Sequence, residues 1–363
     1  MTVERSGLDP VGTEPLFERH VRLTPASSIR PRPVRWLWDG RVALGTLALL
    51  AGREGIGKST VAFDIAAQVT RGALPGCYFG QPRAVIVAGT EDSWSHTVVP
   101  WLLAAGADLD LVYKVDVADP LGFDSEVMLP LDLAQLEEAV VSVGAALILL
   151  DPLISRLSPS LDSHKDSEVR LALEPLVALG ERSGASILGI IHLNKAGGTD
   201  ALNQVMGSRA FSAVARAVLF AMASPDDDEL KLLGQPKNDL GRSDLPTLAY
   251  RLVGRSTPTP EGDAWTAAVA WGGEAATTIT EALARSGDDA GERSATDEAV
   301  EWLDDFLTAA GGGAKSAAVK AAARAAGHSD RTLARARLRL RVTSESVGFP
   351  RQTHWALPAG GPR

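Results

Sequence analysis

Gly52-Arg53-Glu54-Gly55-Ile56-Gly57-Lys58-Ser59-Thr60 follows an apolar run, Gly45-Thr46-Leu47-Ala48-Leu49-Leu50-Ala51, and leads into Val61-Ala62-Phe63-Asp64-Ile65-Ala66-Ala67-Gln68-Val69. The order is strand, glycine loop, helix. The spacing G-x-x-x-x-G-K-S is that of a phosphate-binding P-loop, whose glycines let successive backbone N–H groups turn inward around an anion. A helix opening near Lys58 adds unpaired N–H groups and the positive end of its dipole. Gly52 to Thr60 is therefore the expected triphosphate cradle, with Lys58 reaching the terminal phosphates and the Ser59 hydroxyl on Mg²⁺. The alternative, a glycine-rich turn without a ligand, explains neither the lysine nor the placement between a buried strand and a helix.

The bulk numbers bound the rest. A chain of 363 residues that is 45% hydrophobic can bury a large core and predicts one big domain with a small one attached. Cys77 is the lone cysteine, so no internal disulfide framework is expected and a reducing compartment suits the chain. The start, Met1-Thr2-Val3-Glu4-Arg5-Ser6, lacks the basic and apolar segments of a signal peptide, and no apolar run is long enough to span a bilayer. The expectation is a cytoplasmic protein with no membrane partner. Net charge is −9, yet the tail from Gly312 to Arg363 holds ten basic residues against Asp330 and Glu345, carrying +8 and leaving −17 on the remainder. That asymmetry points to a local module meeting a polyanion.

Along the chain, residues 1–33 read as a loose Pro-, Arg- and Ser-rich arm. Trp36 and Trp38, two apart, share one face of a short extended segment, and docking onto the core is favoured over stacking on a base. Ala84 to Ala88 is a buried strand that ends at Gly89-Thr90-Glu91-Asp92, and Ala146 to Leu150 is another that ends at Asp151. An aspartate after an apolar strand is the Walker B pattern, in which it orients Mg²⁺; the alternative is a helix-capping carboxylate. Residue 152 is proline, so the water-orienting carboxylate must come from elsewhere. Glu91 is the first choice, because its strand lies between the two motifs, with Asp92 or Glu54 as alternates. A polar loop from Ser155 to Lys165 precedes a long helix, Asp166 to Arg182, and a strand from Ser186 ends at His192, a γ-phosphate sensor or a structural histidine. Three further strands near Leu230–Leu233, Leu248–Val253 and Thr266–Trp271 are expected to extend the sheet in antiparallel fashion.

Taken together, Gly52 to Thr60, Gly89-Thr90-Glu91-Asp92, Leu149-Leu150-Asp151-Pro152, Ile191-His192-Leu193-Asn194-Lys195, Gly207-Ser208-Arg209-Ala210-Phe211 and Lys237-Asn238-Asp239-Leu240-Gly241 make the chain resemble RecA/DnaB-type P-loop ATPases. Nearest is the RepA-like group of AAA family ATPases carried by plasmids, prophages and other mobile elements. The resemblance covers about residues 34–275. It implies an α/β RecA-like core with a mostly parallel sheet, ATP and Mg²⁺ as cofactors, and a homo-oligomeric ring, usually a hexamer. It also implies helicase-like work on single-stranded DNA passing loops that offer Arg156, Lys165 and Lys195. Each ATP site would be completed in trans by a basic residue. Relatives often carry Lys-x-Arg where this chain has Lys237-Asn238-Asp239, which leaves Lys237, Arg242, Arg209 and Arg216 as finger candidates.

Residues 276–295, rich in Ala, Thr, Gly, Asp and Glu, read as a linker. From 296 to 363 the pattern is helix, turn, arginine-lined helix and hairpin, which resembles a winged helix-turn-helix. Arg331, Arg335 and Arg339 line the outer face of its third helix and would meet duplex DNA. A solvated basic face or a protein-docking module is the alternative. A regulator that binds DNA under ATP control without unwinding it is the second functional expectation.

Overall fold

The computed structural model describes residues 21, 23–118, 122, 124–193, 200–205, 208–347 and 352–358, with side chains left aside at 90, 287–295, 346–347 and 352. Residues 1–34 make one unit and residues 35–363 another. The latter is built on a nine-stranded sheet of β1 (Leu47–Gly52), β2 (Ala84–Thr90), β3 (Val112–Lys114), β4 (Ala145–Asp151), β5 (Ser186–His192), β6 (Ala217–Ala223), β7 (Lys231–Asn238), β8 (Leu248–Thr259) and β9 (Gly262–Glu274). In space the order is β9-β8-β7-β6-β1-β5-β4-β2-β3. The run from β6 to β3 is parallel, and β7, β8 and β9 are added antiparallel.

β1 is buried along its whole length, as are the seven residues of β4. A parallel strand covered on both faces reads as an unbroken apolar run, which is why these strands were legible. Alternate side chains divide between two cores. Leu47, Leu49 and Ala51 join Leu136 of α3 (Leu133–Val143), Leu173 of α4 (Asp166–Ser183) and Phe211 of α5 (Ala210–Val214). Ala48 and Leu50 face Phe63 of α1 (Lys58–Thr70) and Leu102 of α2 (Val99–Ala105). Burying one leucine at such a position stabilises by about 2 kcal/mol, so the stack of strands anchors everything at its edges.

Several expectations are corrected in detail. β8 and β9 have 12 and 13 residues, far longer than the short strands expected, and form one continuous hairpin. It leans back on the P-loop: the Tyr250 hydroxyl donates to Ile56 O at 3.0 Å, and Trp271 Nε1 donates to Asp64 Oδ2 at 2.8 Å. Trp38 docks on the core, edge-on to Trp271 with ring centroids 6.1 Å apart. Asp132, which precedes α3, accepts from the Met128 N–H at 2.7 Å and makes no side-chain cap on the helix. From Ile279 onward the segment expected as a linker is part of helix α6 (Ile279–Ala309). Thr278 and Glu281 form a capping box at its start, and Ile279, Ala282 and Leu283 bury against the main core.

Beyond α6 come β10 (Gly313–Lys315), α7 (Ser316–Ala325), α8 (Asp330–Arg339), β11 (Thr343–Val347) and β12 (Gln352–Ala356). The three strands form a separate antiparallel sheet in the order β10-β12-β11. Their core is Ala299, Leu303 and Leu307 of α6 with Val319, Leu333, Ala336 and Trp355. Ser329 caps α8 by accepting from the Thr332 N–H at 3.1 Å. The expected turn at Gly348-Phe349-Pro350 lies outside the described residues. No helix among those described is long and apolar enough to cross a membrane.

Candidate nucleotide-binding site

Parallel strands bring their C-terminal ends to one edge, and the register decides which ends meet. Gly52 of β1 pairs with His192 of β5, and Asp151 of β4 pairs with Thr90 of β2. The glycine loop crosses this edge with Gly55 at φ 73° and Gly57 at φ 89°, and α1 begins immediately after it at Lys58. At Gly57 a Cβ would also land 2.7 Å from Leu252 Cδ1 of the hairpin, so both backbone and space demand glycine there. A cavity of about 360 Å³ opens above, walled by Lys58, Ser59, Glu91, Asp151, His192 and Leu252 among others.

Lys58 is buried. Its Nζ donates to Arg53 O at 2.9 Å and lies 3.3 Å from His192 Nδ1. An ammonium only donates, so Nδ1 is the acceptor and His192 is neutral with its proton on Nε2. Burial and the adjacent Lys58 both push the His192 pKa down, in agreement. The Lys58 pKa is itself lowered by burial, opposed by Asp151 and Glu54.

Asp151 is 7% exposed, and burial pushes its pKa up to about 6 against the hydrogen bond from Ser59. Its Oδ2 is buried without a protein partner. Asp92 is likewise shifted up, by burial and then by Glu91. Carboxylates at 54, 91, 92 and 151 thus line a cavity that holds the Lys58 ammonium, an arrangement that suits a divalent cation. Asp151 Oδ2 and the Ser59 hydroxyl are hard oxygen donors suited to Mg²⁺, which characteristically takes one or two protein oxygens and completes its shell with phosphates and water. Among the described residues no group of three or more His, Cys, Asp or Glu could hold a metal unaided. The residues present therefore fit a metal that arrives with a phosphate chain.

Glu91 reaches this cavity by a route the chain order did not suggest. β2 falls between the P-loop and β4 in sequence but lies beyond β4 in the sheet, three places from β1. Just before Glu91 the strand is irregular: its register with β4 shifts between Val87 and Thr90, and Gly89 has φ +106°. A Cβ at Gly89 would meet the Arg156 side chain at 2.6 Å. Arg156 is 3% exposed and pairs with Glu126 at 2.5 Å, while its Nε and Nη1 have no protein partner. Its neighbour Ser155 donates to Glu91 Oε1 at 3.3 Å. The loop after β4 thus contacts both Gly89 and Glu91. Arg156, expected as a phosphate partner for DNA, is taken out of that role by its burial. Lys165 is exposed and engaged with Glu168 at 3.0 Å, and Lys195 lies outside the described residues.

The finger candidates sit away from the cavity wall. Lys237 donates to Ser212 O and Ala215 O, both at 2.8 Å, so it neutralises the C-terminal end of α5, and it pairs with Asp239 at 3.1 Å. Arg242 is bound through two nitrogens to Asp244, Arg216 lies 3.8 Å from Asp239, and Arg209 stands exposed at the start of α5. In the C-terminal part, built on the core of Ala299, Leu303 and Trp355 and called the C-terminal unit below, Arg339 pairs with Asp297 of α6, while Arg331 and Arg335 lie on α8. Two cavity residues escaped the sequence reading, Trp101 and Leu252. Leu252 sits two hundred residues from the loop it covers, and nothing local in its strand signals that contact.

A glycine loop on a helix N-terminus, a buried lysine and a strand-end aspartate on a serine hydroxyl define a P-loop nucleotide-binding protein. The chain belongs to the AAA domain family, a family of P-loop ATPases whose model matches residues 14–198, starting inside the stretch read as an arm. Among solved structures it is similar to the crystal structure of the RadB recombinase, at 14% identity and a TM-score of 0.40, over 58% of this chain and 89% of that one. No curated protein matches it.

Proposed function

We propose that the chain is a RecA-like, Mg²⁺-dependent ATPase that works on DNA, as a helicase-like motor of a mobile element. The observation that carries the reading is the meeting of Lys58, Asp151 and Glu91 around one cavity at the strand ends. When bound, Mg²⁺ supplies charge neutralisation on the phosphate oxygens. Lys58 holds the terminal phosphates, Ser59 and Asp151 hold the metal, and Glu91 orients and deprotonates the attacking water. His192, already beside Lys58 Nζ, registers whether the lysine is occupied by phosphate. A neighbouring copy supplies a cation to each site, in a ring of identical chains, with Arg209 and Arg216 as the candidates least committed to intramolecular hydrogen bonds.

The C-terminal unit is read as a winged helix whose α8 meets duplex DNA. Its helix and strand order and the tail charge of +8 support this. A second reading, an ATP-switched DNA-binding regulator without unwinding activity, is favoured by the burial of Arg156, which thins the cations available to a single strand in the core.

The test is steady-state ATP hydrolysis with and without single-stranded DNA, on wild type, Lys58→Ala and Glu91→Gln, with nucleotide affinity and particle mass measured alongside. Lys58→Ala is expected to lose nucleotide affinity. Glu91→Gln is expected to bind nucleotide normally and turn over at least about 100-fold more slowly. Undiminished turnover in Glu91→Gln would remove the glutamate from the mechanism. DNA-independent slow turnover with no strand displacement would favour the regulator.

A further inference from the structure

The opposite end of the sheet carries a second chemistry. α1 has 13 residues and so runs about 20 Å away from the P-loop, and the loop after it, residues 71–83, leads into the start of β2. The short strand Trp36–Trp38 lies along that loop: Cys77 N–H donates to Trp36 O at 2.9 Å, and Asp39 N–H donates to Pro75 O at 2.7 Å. This pairing sets the Arg35 guanidinium 5.6 Å from the Tyr78 ring centroid, while Arg83 approaches the same ring to 4.5 Å. Phe79, next along, is 66% exposed.

Two guanidiniums lie over one ring, and among the described residues neither is paired with a carboxylate. Arg83 bonds only to the neutral Gln81 amide at 3.4 Å, and its buried Nε has no partner. Asp39 is the acid closest in the chain, and it too makes no ion pair among the described residues. A polyanion reaching this surface would find two guanidiniums without a carboxylate partner, and the exposed Phe79 next to Tyr78 in the chain offers an apolar face. Paired cations with an adjacent open aromatic are what a single-stranded nucleic acid uses, its phosphates on arginine and its bases stacked. The local charge is out of keeping with the chain, which totals −9. In the sequence, Arg35 is the last of five arginines between Arg19 and Trp38, a stretch without an acid.

We infer that Arg35, Arg83 and Phe79 form a contact site for single-stranded nucleic acid, separate from the nucleotide cavity and from the arginines of α8. The inference deepens the DNA-binding part of the proposed function and requires no hydrolysis.

The test is anisotropy of a fluorescein-labelled oligothymidylate with the full chain, titrated over a range of salt without nucleotide. Compared are wild type, Arg35→Glu/Arg83→Glu, Arg35→Lys/Arg83→Lys, Phe79→Ala, and Arg331→Glu/Arg335→Glu/Arg339→Glu. The double reversal is expected to weaken binding at least about tenfold and to reduce the salt slope by about 1.4, the share of two phosphate contacts. The double lysine variant keeps that slope, Phe79→Ala loses about fivefold or more through lost stacking, and basal ATP hydrolysis stays at the wild-type rate in all three. Unchanged affinity and slope in the double reversal would overturn the inference. So would a drop in particle mass with DNA affinity intact, which would make the patch a contact between copies. If wild type bound no oligothymidylate at low salt the site would also fall, while the Lys58 and Glu91 series would still decide the ATPase reading on its own.

Discussion

The nucleotide edge of the sheet and the C-terminal unit handle charge in opposite ways. At the edge, the hydrogen bonds of Lys58 among the described residues go to a carbonyl and a neutral imidazole, and Asp151 keeps one buried oxygen bare. In the C-terminal unit, cations are committed to intramolecular partners: Arg324 to Asp330, Arg339 to Asp297, Arg337 and Lys320 to the face of Trp355. A charge left unpaired in the interior costs stability unless a ligand completes it, so the first region is arranged for something that arrives from outside. The second is arranged to hold itself together, and DNA binding there must compete with bonds already made.

The sharpest break of this contrast is Trp355→Ala. The ring is 4% exposed and carries two cations, so its removal is expected to destabilise the C-terminal unit by about 3–5 kcal/mol, read as a lower-temperature unfolding step, with basal ATP hydrolysis preserved. Loss of hydrolysis as well would mean that the two regions fold as one.

Asp151→Asn reverses the usual sign. A carboxyl whose folded pKa is about 6 against an ordinary 3.8 holds its proton more tightly when folded, so this group's own contribution to the stability of the nucleotide-free wild type is largest at low pH. It loses about 3 kcal/mol as pH rises from 4 to above 6. The asparagine variant lacks that loss. At pH 8 without nucleotide it is expected to melt higher than wild type while failing to hydrolyse ATP, as calorimetry and an activity assay would record. Equal melting at pH 8 would mean that the charge is not costly.

Gly89→Ala tests the contact of the loop after β4 with Gly89 and Glu91. With φ at +106° and Arg156 at 2.6 Å from the new methyl, about 1–3 kcal/mol of strain is expected. Turnover should fall with nucleotide affinity kept, a split between kcat and Kd that a general loss of folding would not give. The smallest effect is Arg339→Ala, which removes an exposed ion pair with Asp297 and should shift thermal stability by less than about 1 kcal/mol. Duplex affinity measured on the same variant shows whether that arginine leaves its partner for phosphate.

How much could be read beforehand varied by region for physical reasons. The parallel strands announced themselves as apolar runs because both faces are covered. Helix α6 did not, since the stretch from 276 to 295 lacks a periodic apolar stripe. Its helix rests on a capping box at Thr278 and on Ile279 and Leu283 touching the core. Glu91 was placed at the cavity by an argument about chain order, whereas in the structure it follows an irregularity of β2 at Gly89, which packs against Arg156. Arg156 itself read as a surface cation, because burial of a long polar side chain leaves no mark in its neighbours.

By itself the sequence determined the phosphate loop, the aspartate at the end of β4 and the apolar strands, all of which depend on residues close together in the chain. The tertiary structure alone decided the place of β2 beyond β4, the hairpin over Gly57 and the burial of Arg156. Those follow from pairings between distant segments, whose energy comes from apolar area removed from water by contact. Such area depends on which faces meet, a property that no single stretch of sequence carries.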